Sequence, residues 1–414
     1  MGEELTRAMA RLEKICARED NFKEALLRLR YPAQTTAATI PVRRDDGSLL
    51  MVKAWRCRYN ALRGPTKGGI RFHKSVTMDE VITLGFWMTI KTAIADLPFG
   101  GAKGGAQVDA ASLSTRELEG LSRGYMRAMV DVVGPDRDIP APDVATNCKP
   151  IAWMADEYFH LVRRTEPTVI TGKPVEFFGS KGRDGATGTG AAACLEAMAG
   201  HLPFKISGAS AVVQGFGNAG AKIARELAKR GMKVIAVSDS GACVRNDQGI
   251  DVEKLVRHKQ ETGSVGGLEG AETLESAAVL DVETNLFVPA ALGGVITANN
   301  ANSLKAAAIL EVANGPVDPG ADDILAGNGV VVIPDVLANA GGVIVSWYEW
   351  LQNRAGEYWP ADTVHDRLKA QMKKSAAAVS DLADDDTRLR DAAYELAIKR
   401  IAASVDALGD QADY

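Results

Sequence analysis

Three lysines between residues 64 and 105 stand in a setting that favours binding of a small anion. Lys67 and Lys103 are each followed by two glycines, within GPTKGGIRFH and LPFGGAKGG, and Lys91 ends the apolar segment VITLGFWMTIK. Glycine pairs allow close approach of the backbone, and we expect turns here. Any one of these lysines alone would usually be a solvated surface residue. Together they predict an anion pocket in which burial and neighbouring cations lower at least one lysine pKa.

A candidate acid, Asp143, lies in the stretch DRDIPAPDVAT at residues 136–146. Its two prolines predict a loop. An aspartate after a proline is most often a turn or cap residue. A functional role is the alternative, which this setting alone does not specify.

A second chemical motif, GFGNAG at residues 215–220, predicts a dinucleotide site. It follows the apolar run ASAVVQ and precedes a helical pattern and the run KVIAVS, which is the order of a βαβ unit. Gly215 permits the tight turn, Gly217 allows a pyrophosphate to approach, and Gly220 allows the helix to pack on the strand. The helix N-terminus attracts the anion. Phe216 and Asn218 complete the expected binding turn.

The residue that ends the next strand, Asp239, stands where an acid that binds the ribose 2′-hydroxyl is expected. Its carboxylate would repel a 2′-phosphate. Ser240, together with Ser238 and Arg245, could instead accept that phosphate. The choice between NAD and NADP is therefore open.

The surrounding elements divide into two predicted domains of an α/β protein. Residues 1–178 predict a substrate-binding and oligomerisation domain with a mixed sheet, which begins with one helix over residues 4–30. Residues 179–385 alternate helix and strand and predict a Rossmann-type domain that binds the dinucleotide. A last helix, at about 386–414, is expected to join the first domain.

Local signals mark three boundaries within the first domain. Asp46-Gly47 between two alternating runs predicts a hairpin. Thr77 precedes acidic residues and predicts a helix that reaches about residue 95, with Lys91 in its last turns. Ser114 and Glu117 predict a capping box at the start of another helix.

Composition excludes several other classes of protein. The 414 residues carry a formal net charge of -5, so we expect no nucleic-acid partner. Five scattered cysteines without a CxxC pair indicate a reducing compartment, without disulfides or a metal site. The N-terminus lacks the apolar core of a signal peptide, and no apolar run is long enough to span a membrane. A cytoplasmic protein is expected.

In this combination the chain resembles the glutamate dehydrogenases, within the wider family of dehydrogenases for glutamate, leucine, phenylalanine and valine. The likeness rests on GPTKGGIRFH, WMTIKTAIADLPFGGAKGG, DIPAPDV, GRDGATG, QGFGNAG, ANGP and NAGGVIVSWYEW. It implies an enzyme, usually hexameric, that converts L-glutamate to 2-oxoglutarate and ammonium with NAD or NADP.

The resemblance also implies a role for individual residues. Lys103 and Asp143 match the catalytic lysine and acid. Lys91 matches the partner of the substrate α-carboxylate, whereas Lys67 and Ser346 match the residues that hold the side-chain carboxylate. Four further positions match residues lining the substrate and nicotinamide side, with Arg183 and Asn339 assigned to the substrate and Thr187 and Asn314 to the cofactor.

Two alternative functions are compatible with the sequence. The first is a dehydrogenase for another amino acid, although an apolar substrate would leave Lys67 unpaired. The second is a dinucleotide sensor without catalysis, since a fold does not by itself establish an activity. The presence of Lys103 and Asp143 argues against the sensor.

Overall fold

A computed structural model describes residues 3–17, 22–291, 293–384 and 386–409, and it divides the chain into two units. The first unit comprises Met1–Arg183, Val343–Val364 and Tyr394–Tyr414. The second unit comprises Asp184–Gly342 and His365–Ala393. In the described part of the chain, no helix combines the length and the apolar character needed to cross a bilayer.

The first part of the chain supplies the sheet of the first unit. Its strands are β1 (Gln34–Arg43), β2 (Leu49–Asn60), β3 (Thr66–His73), β4 (Gly100–Gln107) and β5 (Asp138–Pro142). Its helices are α1 (Glu3–Cys16), α2 (Lys23–Leu29), α3 (Met78–Ile94), α4 (Thr115–Met129) and α5 (Cys148–Val162). The single helix predicted over residues 4–30 is therefore wrong, because α1 and α2 are separate; residues 18–21 between them lie outside the described residues.

The strands form a mixed sheet in the order β1-β2-β4-β3-β5. β1 and β2 pair in antiparallel register around Gly47, whose φ of +85° suits the hairpin turn. β3 pairs in parallel with both β4 and β5. The predicted hairpin and the predicted mixed sheet are both confirmed.

One face of this sheet packs on α4 and α5 to form a hydrophobic core. Buried members include Ile70 and Phe72 of β3, Met126 of α4 and Met154 of α5. The capping box of α4 is confirmed, because Ser114 accepts the Glu117 N–H and Glu117 accepts the Ser114 N–H. Such a cap contributes about 1 kcal/mol to helix stability.

Lys67 and Lys103 lie in β3 and β4, so the prediction of glycine-rich turns is wrong. A side chain at Gly68 would overlap the backbone carbonyl of Ala102, and one at Gly104 would overlap the Tyr125 hydroxyl. These glycines are required because the neighbouring strand and α4 approach too closely for a β-carbon. Glycine serves close packing as well as turns, and the sequence alone does not separate the two.

The stretch 136–146, predicted as a loop, contains β5. β5 lies at the edge of the sheet beside β3, where proline is tolerated because one side of the strand needs no donor. The loop prediction is thus wrong for residues 138–142. Asp143 follows directly at the end of β5.

The second unit alternates helices and strands around a second sheet. Its elements are α6 (Ala186–Ala197), β6 (Ser210–Gln214), α7 (Asn218–Lys229), β7 (Lys233–Ser238), β8 (Cys243–Arg245), α8 (Val252–Thr262), β9 (Glu272–Leu274), β10 (Thr284–Pro289), β11 (Ala306–Leu310), α9 (Pro319–Gly327), β12 (Val331–Ile333) and α10 (Asp335–Ala338). The chain ends with α11 (Gly341–Ala355), α12 (Ala361–Ser380) and α13 (Leu389–Leu408).

The second sheet has the order β12-β11-β10-β6-β7-β8-β9. β12, β11, β10, β6 and β7 run parallel, and β8 and β9 add antiparallel strands at one edge. The apolar strand residues Val212, Phe287 and Ile309 are fully buried, as expected for parallel strands covered by helices. This confirms the predicted Rossmann-type architecture and its βαβ unit.

Candidate active site

Four charged side chains belong to one face of the first sheet. Lys67 pairs in parallel register with Gly101, and Lys103 lies two residues further along β4, so both lysines share a face. Arg71 lies four residues after Lys67 on β3 and shares that face. Asp143 continues β5, which pairs with β3, and therefore lies beside Arg71. Strand register thus gathers residues that are far apart in the sequence.

Lys103 and Asp143 are in direct contact. Nζ of Lys103 lies 2.6 Å from Oδ2 of Asp143, and their side chains are 7% and 17% exposed. The backbone around Asp143 is fixed by a hydrogen bond of 2.9 Å from its N–H to Thr146 Oγ1. Gly69 leaves room for this arrangement, because a β-carbon there would approach Asp143 Cβ to 2.9 Å. The structure therefore brings together the two residues predicted to be catalytic.

Arg71 is a charged partner of Asp143 for which the sequence predicted no role. Its Nε donates to Asp143 Oδ1 at 2.7 Å, and its Nη1 donates to Glu80 Oε1 at 2.7 Å. Burial by itself would raise the pKa of Asp143, but the charges of Lys103 and Arg71 hold that pKa well below its usual range. Side chains in a strand alternate between the two faces, so the four-residue spacing of Lys67 and Arg71 was the signal that could have identified Arg71.

Lys67 is buried, at 1% exposure. Its Nζ donates to Thr171 Oγ1 at 2.8 Å and lies 3.4 Å from the Pro140 carbonyl oxygen. Within the described part of the chain these hydrogen-bond partners are uncharged. Burial, reinforced by the charge of Arg183, lowers the Lys67 pKa well below that of an ordinary lysine. The prediction that one of the lysines has a lowered pKa is confirmed at Lys67.

Arg183 and Ser346 meet although they are far apart in the chain. Arg183 Nη1 donates to Ser346 Oγ at 2.9 Å. Ser346 is buried on α11, whereas the Arg183 side chain is 25% exposed. Arg183 also lies near Thr171, the hydrogen-bond partner of Lys67, because a β-carbon at the adjacent Gly172 would approach Arg183 Cζ to 3.3 Å. We call Lys67, Arg183 and Ser346 the anion cluster.

A buried ion pair supports the anion cluster. Glu349, one helical turn after Ser346, accepts the Lys173 ammonium at 2.8 Å and the Gly172 N–H at 2.9 Å. Its Oε2 also lies 3.8 Å from Arg183 Nη1. Burial lowers the Lys173 pKa, and the Glu349 charge opposes that effect. The sequence predicts no role for Glu349 or Lys173, because no local pattern shows that they meet.

Lys91 lies in the last turn of α3, as predicted, and is partly buried. α3 covers the lysine-bearing face of the sheet, since a β-carbon at Gly101 would overlap Thr89 of this helix. The assignment of Lys91 to a substrate carboxylate stays a prediction.

The glycine motif of the second unit forms the predicted turn between β6 and α7. Gly215 has a φ of +92°, and a β-carbon at Gly220 would overlap the Gly215 carbonyl oxygen. A β-carbon at Gly217 would meet nothing within 4 Å, so packing does not require glycine there. The absent β-carbon leaves a cradle at the N-terminus of α7, where N–H groups can bind an anion. These residues fit a dinucleotide pyrophosphate, with Phe216 buried and Asn218 exposed beside them.

Asn314 and Asn339 come together in the second unit. Asn339 Nδ2 donates to Asn314 Oδ1 at 2.9 Å and to the Ala313 carbonyl at 3.2 Å. Its own Oδ1 is buried without a hydrogen-bond partner among the described residues. A buried acceptor of this kind is available to a ligand donor. Thr187 lies in the first turn of α6, and the ligand assignments of these three residues stay predictions.

Comparison with known proteins places these features in a family. The model of the Glutamate/Leucine/Phenylalanine/Valine dehydrogenase family matches residues 179–409, and the model of its dimerisation domain matches residues 32–160. The chain belongs to the glutamate/leucine/phenylalanine/valine dehydrogenase family. It is thus an amino-acid dehydrogenase.

Individual members of this dehydrogenase family match nearly the whole chain. The NADP-specific glutamate dehydrogenase of Synechocystis sp. is 45% identical over 98% of this chain and 97% of its own length. The NAD-specific glutamate dehydrogenase of Staphylococcus aureus is 41% identical over 90% of each chain. Among solved structures, the hetero-hexameric glutamate dehydrogenase of Thermus thermophilus has a TM-score of 0.88 and 35% identity, covering 94% of this chain and 95% of its own.

Both carboxylate oxygens of Asp239 in this dehydrogenase already accept hydrogen bonds from other residues of the protein. Its Oδ1 accepts the Gly241 N–H at 2.9 Å, and its Oδ2 accepts the Lys259 ammonium and the Val265 N–H, both at 2.8 Å. Its side chain is 7% exposed, and although burial opposes ionisation, these donors lower its pKa. A ribose hydroxyl would compete with these donors, and Lys259 weakens any repulsion of a 2′-phosphate. Of the other predicted cofactor residues, Ser240 is exposed and Arg245 pairs with Asp247.

Proposed function

We propose that the chain catalyses the reversible oxidative deamination of L-glutamate to 2-oxoglutarate and ammonium, with NAD or NADP. The observation that carries this proposal is the anion cluster. A buried ammonium is costly unless it meets an opposite charge. The hydrogen-bond partners of Lys67 among the described residues are neutral, and Glu349, whose charge favours the ammonium, is itself paired with Lys173, so a ligand carboxylate would supply a direct counter-charge. The names of the relatives, NADP-specific and NAD-specific glutamate dehydrogenase, support the same substrate.

The anion cluster would select the substrate by its side chain. A dicarboxylate brings one charge to Lys67 and Arg183 and a hydrogen-bond acceptor to the Ser346 hydroxyl. An apolar amino acid would leave these polar groups unpaired, which is how a polar site rejects an analogue. We assign the second carboxylate, on the α-carbon, to Lys91.

Lys103 and Asp143 would carry the proton transfers. Their direct contact lets a proton pass between ammonium and carboxylate without large movement. Once the hydride has left the substrate, Lys103 would take a proton from the water that adds to the imine carbon and would stabilise the resulting carbinolamine oxygen, while Asp143 returns a proton to the departing amino group. The nicotinamide, when bound, supplies hydride transfer. Gly215, Gly217 and Gly220 would hold its pyrophosphate.

A substrate panel tests the proposal. The purified protein is mixed with NAD or NADP and with glutamate, leucine, phenylalanine or valine, and the absorbance of the reduced nicotinamide is followed. Glutamate should be the preferred substrate. Preference for an apolar amino acid would contradict the role of Lys67, and nucleotide binding without any turnover would favour a sensor.

We also propose that the protein is a hexamer. The matched dimerisation domain and the hetero-hexameric name of the Thermus thermophilus structure support it. Light scattering on the purified chain measures the mass directly. The cytoplasmic location and the absence of a nucleic-acid partner stay predictions.

Binding of a dicarboxylate should weaken with rising pH. The Lys67 pKa is lowered, so the ammonium loses its charge below the ordinary lysine value of about 10.4, and the ligand loses its counter-charge. The measurement is the inhibition constant of glutarate from neutral to alkaline pH. In Lys67→Leu this dependence should disappear; an unchanged pH dependence in that variant would refute the assignment.

Lys259 should influence the choice of cofactor. Replacing it by methionine removes the cation beside Asp239, so a 2′-phosphate would meet an uncompensated carboxylate. We expect kcat/KM for NADPH to fall about fivefold relative to NADH, which corresponds to about 1 kcal/mol for a partly exposed ion pair. Lys254→Met, which removes an exposed lysine from the same helix, is the control. Equal cofactor ratios in both variants would exclude this role.

A further inference from the structure

The two carboxylate oxygens of Asp143 have separate partners. Oδ2 receives the Lys103 ammonium at 2.6 Å, and Oδ1 receives Arg71 Nε at 2.7 Å and the Val144 N–H at 2.8 Å. The charged groups that face this carboxylate are therefore Lys103 from β4 and Arg71 from β3. With Oδ1 occupied, Oδ2 stays turned toward Lys103.

Arg71 is itself held by a second element. Its Nη1 donates at 2.7 Å to Glu80, which lies in the first turn of α3. The side chains of Arg71 and Glu80 are 24% and 29% exposed, so solvent only partly screens the pair. The guanidinium thus bridges the start of α3 and the end of β5, and its planar fork matches both acceptors.

The two cations beside Asp143 differ in chemistry. An ammonium can give up its proton, as Lys103 would in the proposed reaction, whereas a guanidinium keeps its charge. When Lys103 is neutral, Arg71 is the cation that still compensates Asp143. Arg71 can compensate the charge of Asp143 in this way only if its own charge is permanent and its orientation is fixed.

We propose that Arg71 is a positioning residue, which keeps Asp143 ionised and directed at Lys103 through both protonation states of the lysine, and that Glu80 fixes Arg71. The inference rests on the proposed function, since it requires Lys103 and Asp143 to transfer protons. It adds a role for Arg71 and Glu80, which contact the catalytic pair rather than the substrate.

The test is the pH profile of the full chain with Arg71→Gln. Removing the cation raises the pKa of Asp143, so the acid limb of kcat/KM should move to higher pH. We expect kcat at the pH optimum to fall about tenfold, a part of the 10²- to 10⁴-fold contribution of a positioned acid or base, because Oδ1 loses the partner that keeps Oδ2 directed at Lys103. The KM for glutamate should change little, because the anion cluster is intact. Arg43→Gln, which removes an exposed arginine from β1, should leave all three quantities unchanged.

Two further variants separate charge from orientation. Arg71→Lys keeps the charge but not the fork, so the acid limb should stay in place while kcat still falls; this variant also replaces Arg71→Gln if the latter does not fold. Glu80→Ala removes the acceptor that holds Arg71 but no cation, so kcat should fall without a shift of the acid limb to higher pH. An unmoved acid limb in Arg71→Gln, or full kcat in Arg71→Lys or Glu80→Ala, would overturn the inference. Failure of the proposed function is different, because the unsubstituted chain would then be inactive with glutamate.

Discussion

Replacing Lys103 by alanine should lower kcat for glutamate by a factor of about 10² to 10⁴, the usual contribution of a positioned acid or base. The ammonium lies 2.6 Å from Asp143 in a nearly buried position, where water is a poor substitute for a fixed donor. Dinucleotide binding should survive, because the glycine turn belongs to the second unit. The measurements are steady-state turnover and the dissociation constant of the reduced nucleotide by fluorescence.

A matched variant separates chemistry from general damage to the sheet. Lys53 is an exposed lysine on the neighbouring strand β2, and Lys53→Ala should retain full turnover. Near-normal turnover in Lys103→Ala would reject the catalytic role of this lysine. Loss of nucleotide binding together with turnover would show instead that the substitution disturbs the fold.

Replacing Lys67 by leucine should transfer activity from glutamate to apolar amino acids. Removing one partner of a buried, hydrogen-bonded charge pair costs about 3 kcal/mol, so kcat/KM for glutamate should fall about a hundredfold. Leucine adds apolar surface and removes the buried cation that an apolar side chain would leave unpaired. The measurement is kcat/KM for glutamate, leucine and norvaline in the variant and in the unsubstituted chain.

Thr171→Val is the comparison for this experiment. It removes the 2.8 Å hydroxyl contact of Lys67 but keeps the ammonium, so the preference for glutamate should persist. The thermal unfolding midpoint of Lys67→Leu should not fall, because the substitution removes a buried charge whose hydrogen-bond partners in the described chain are neutral. If glutamate reacts normally in Lys67→Leu, the side-chain carboxylate binds elsewhere.

The glycine motifs illustrate how far a local pattern can be interpreted. At residues 215–220 the φ of +92° at Gly215 and the contact of Gly220 with the Gly215 carbonyl are local requirements, although Gly215 also makes room for Ala291, and the structure contains the expected βαβ unit. The glycines beside Lys67 and Lys103 have another cause, since Gly68 and Gly104 make room for partners distant in sequence. The same residue type therefore predicted a turn correctly in one place and wrongly in the other.

The prolines in β5 also led to a wrong prediction of secondary structure. They indicated a loop, because proline lacks the N–H that a central strand needs. The edge position of β5 removes that objection, but strand order is a property of the whole sheet. Asp143 follows β5 directly, and its contact with Lys103 joins two residues that are 40 positions apart in sequence.

The sequence by itself determined the α/β class, the glycine turn after β6 and the residue types of the candidate site, including Lys67, Lys103 and Asp143. These depend on local periodicity, on glycine sterics and on motif resemblance. Only the tertiary structure decided which side chains meet. Arg183 reaches Ser346 across 163 positions, and Arg71 reaches Asp143 across 72. Such contacts are set by strand register and helix packing, which gather residues that no local pattern connects.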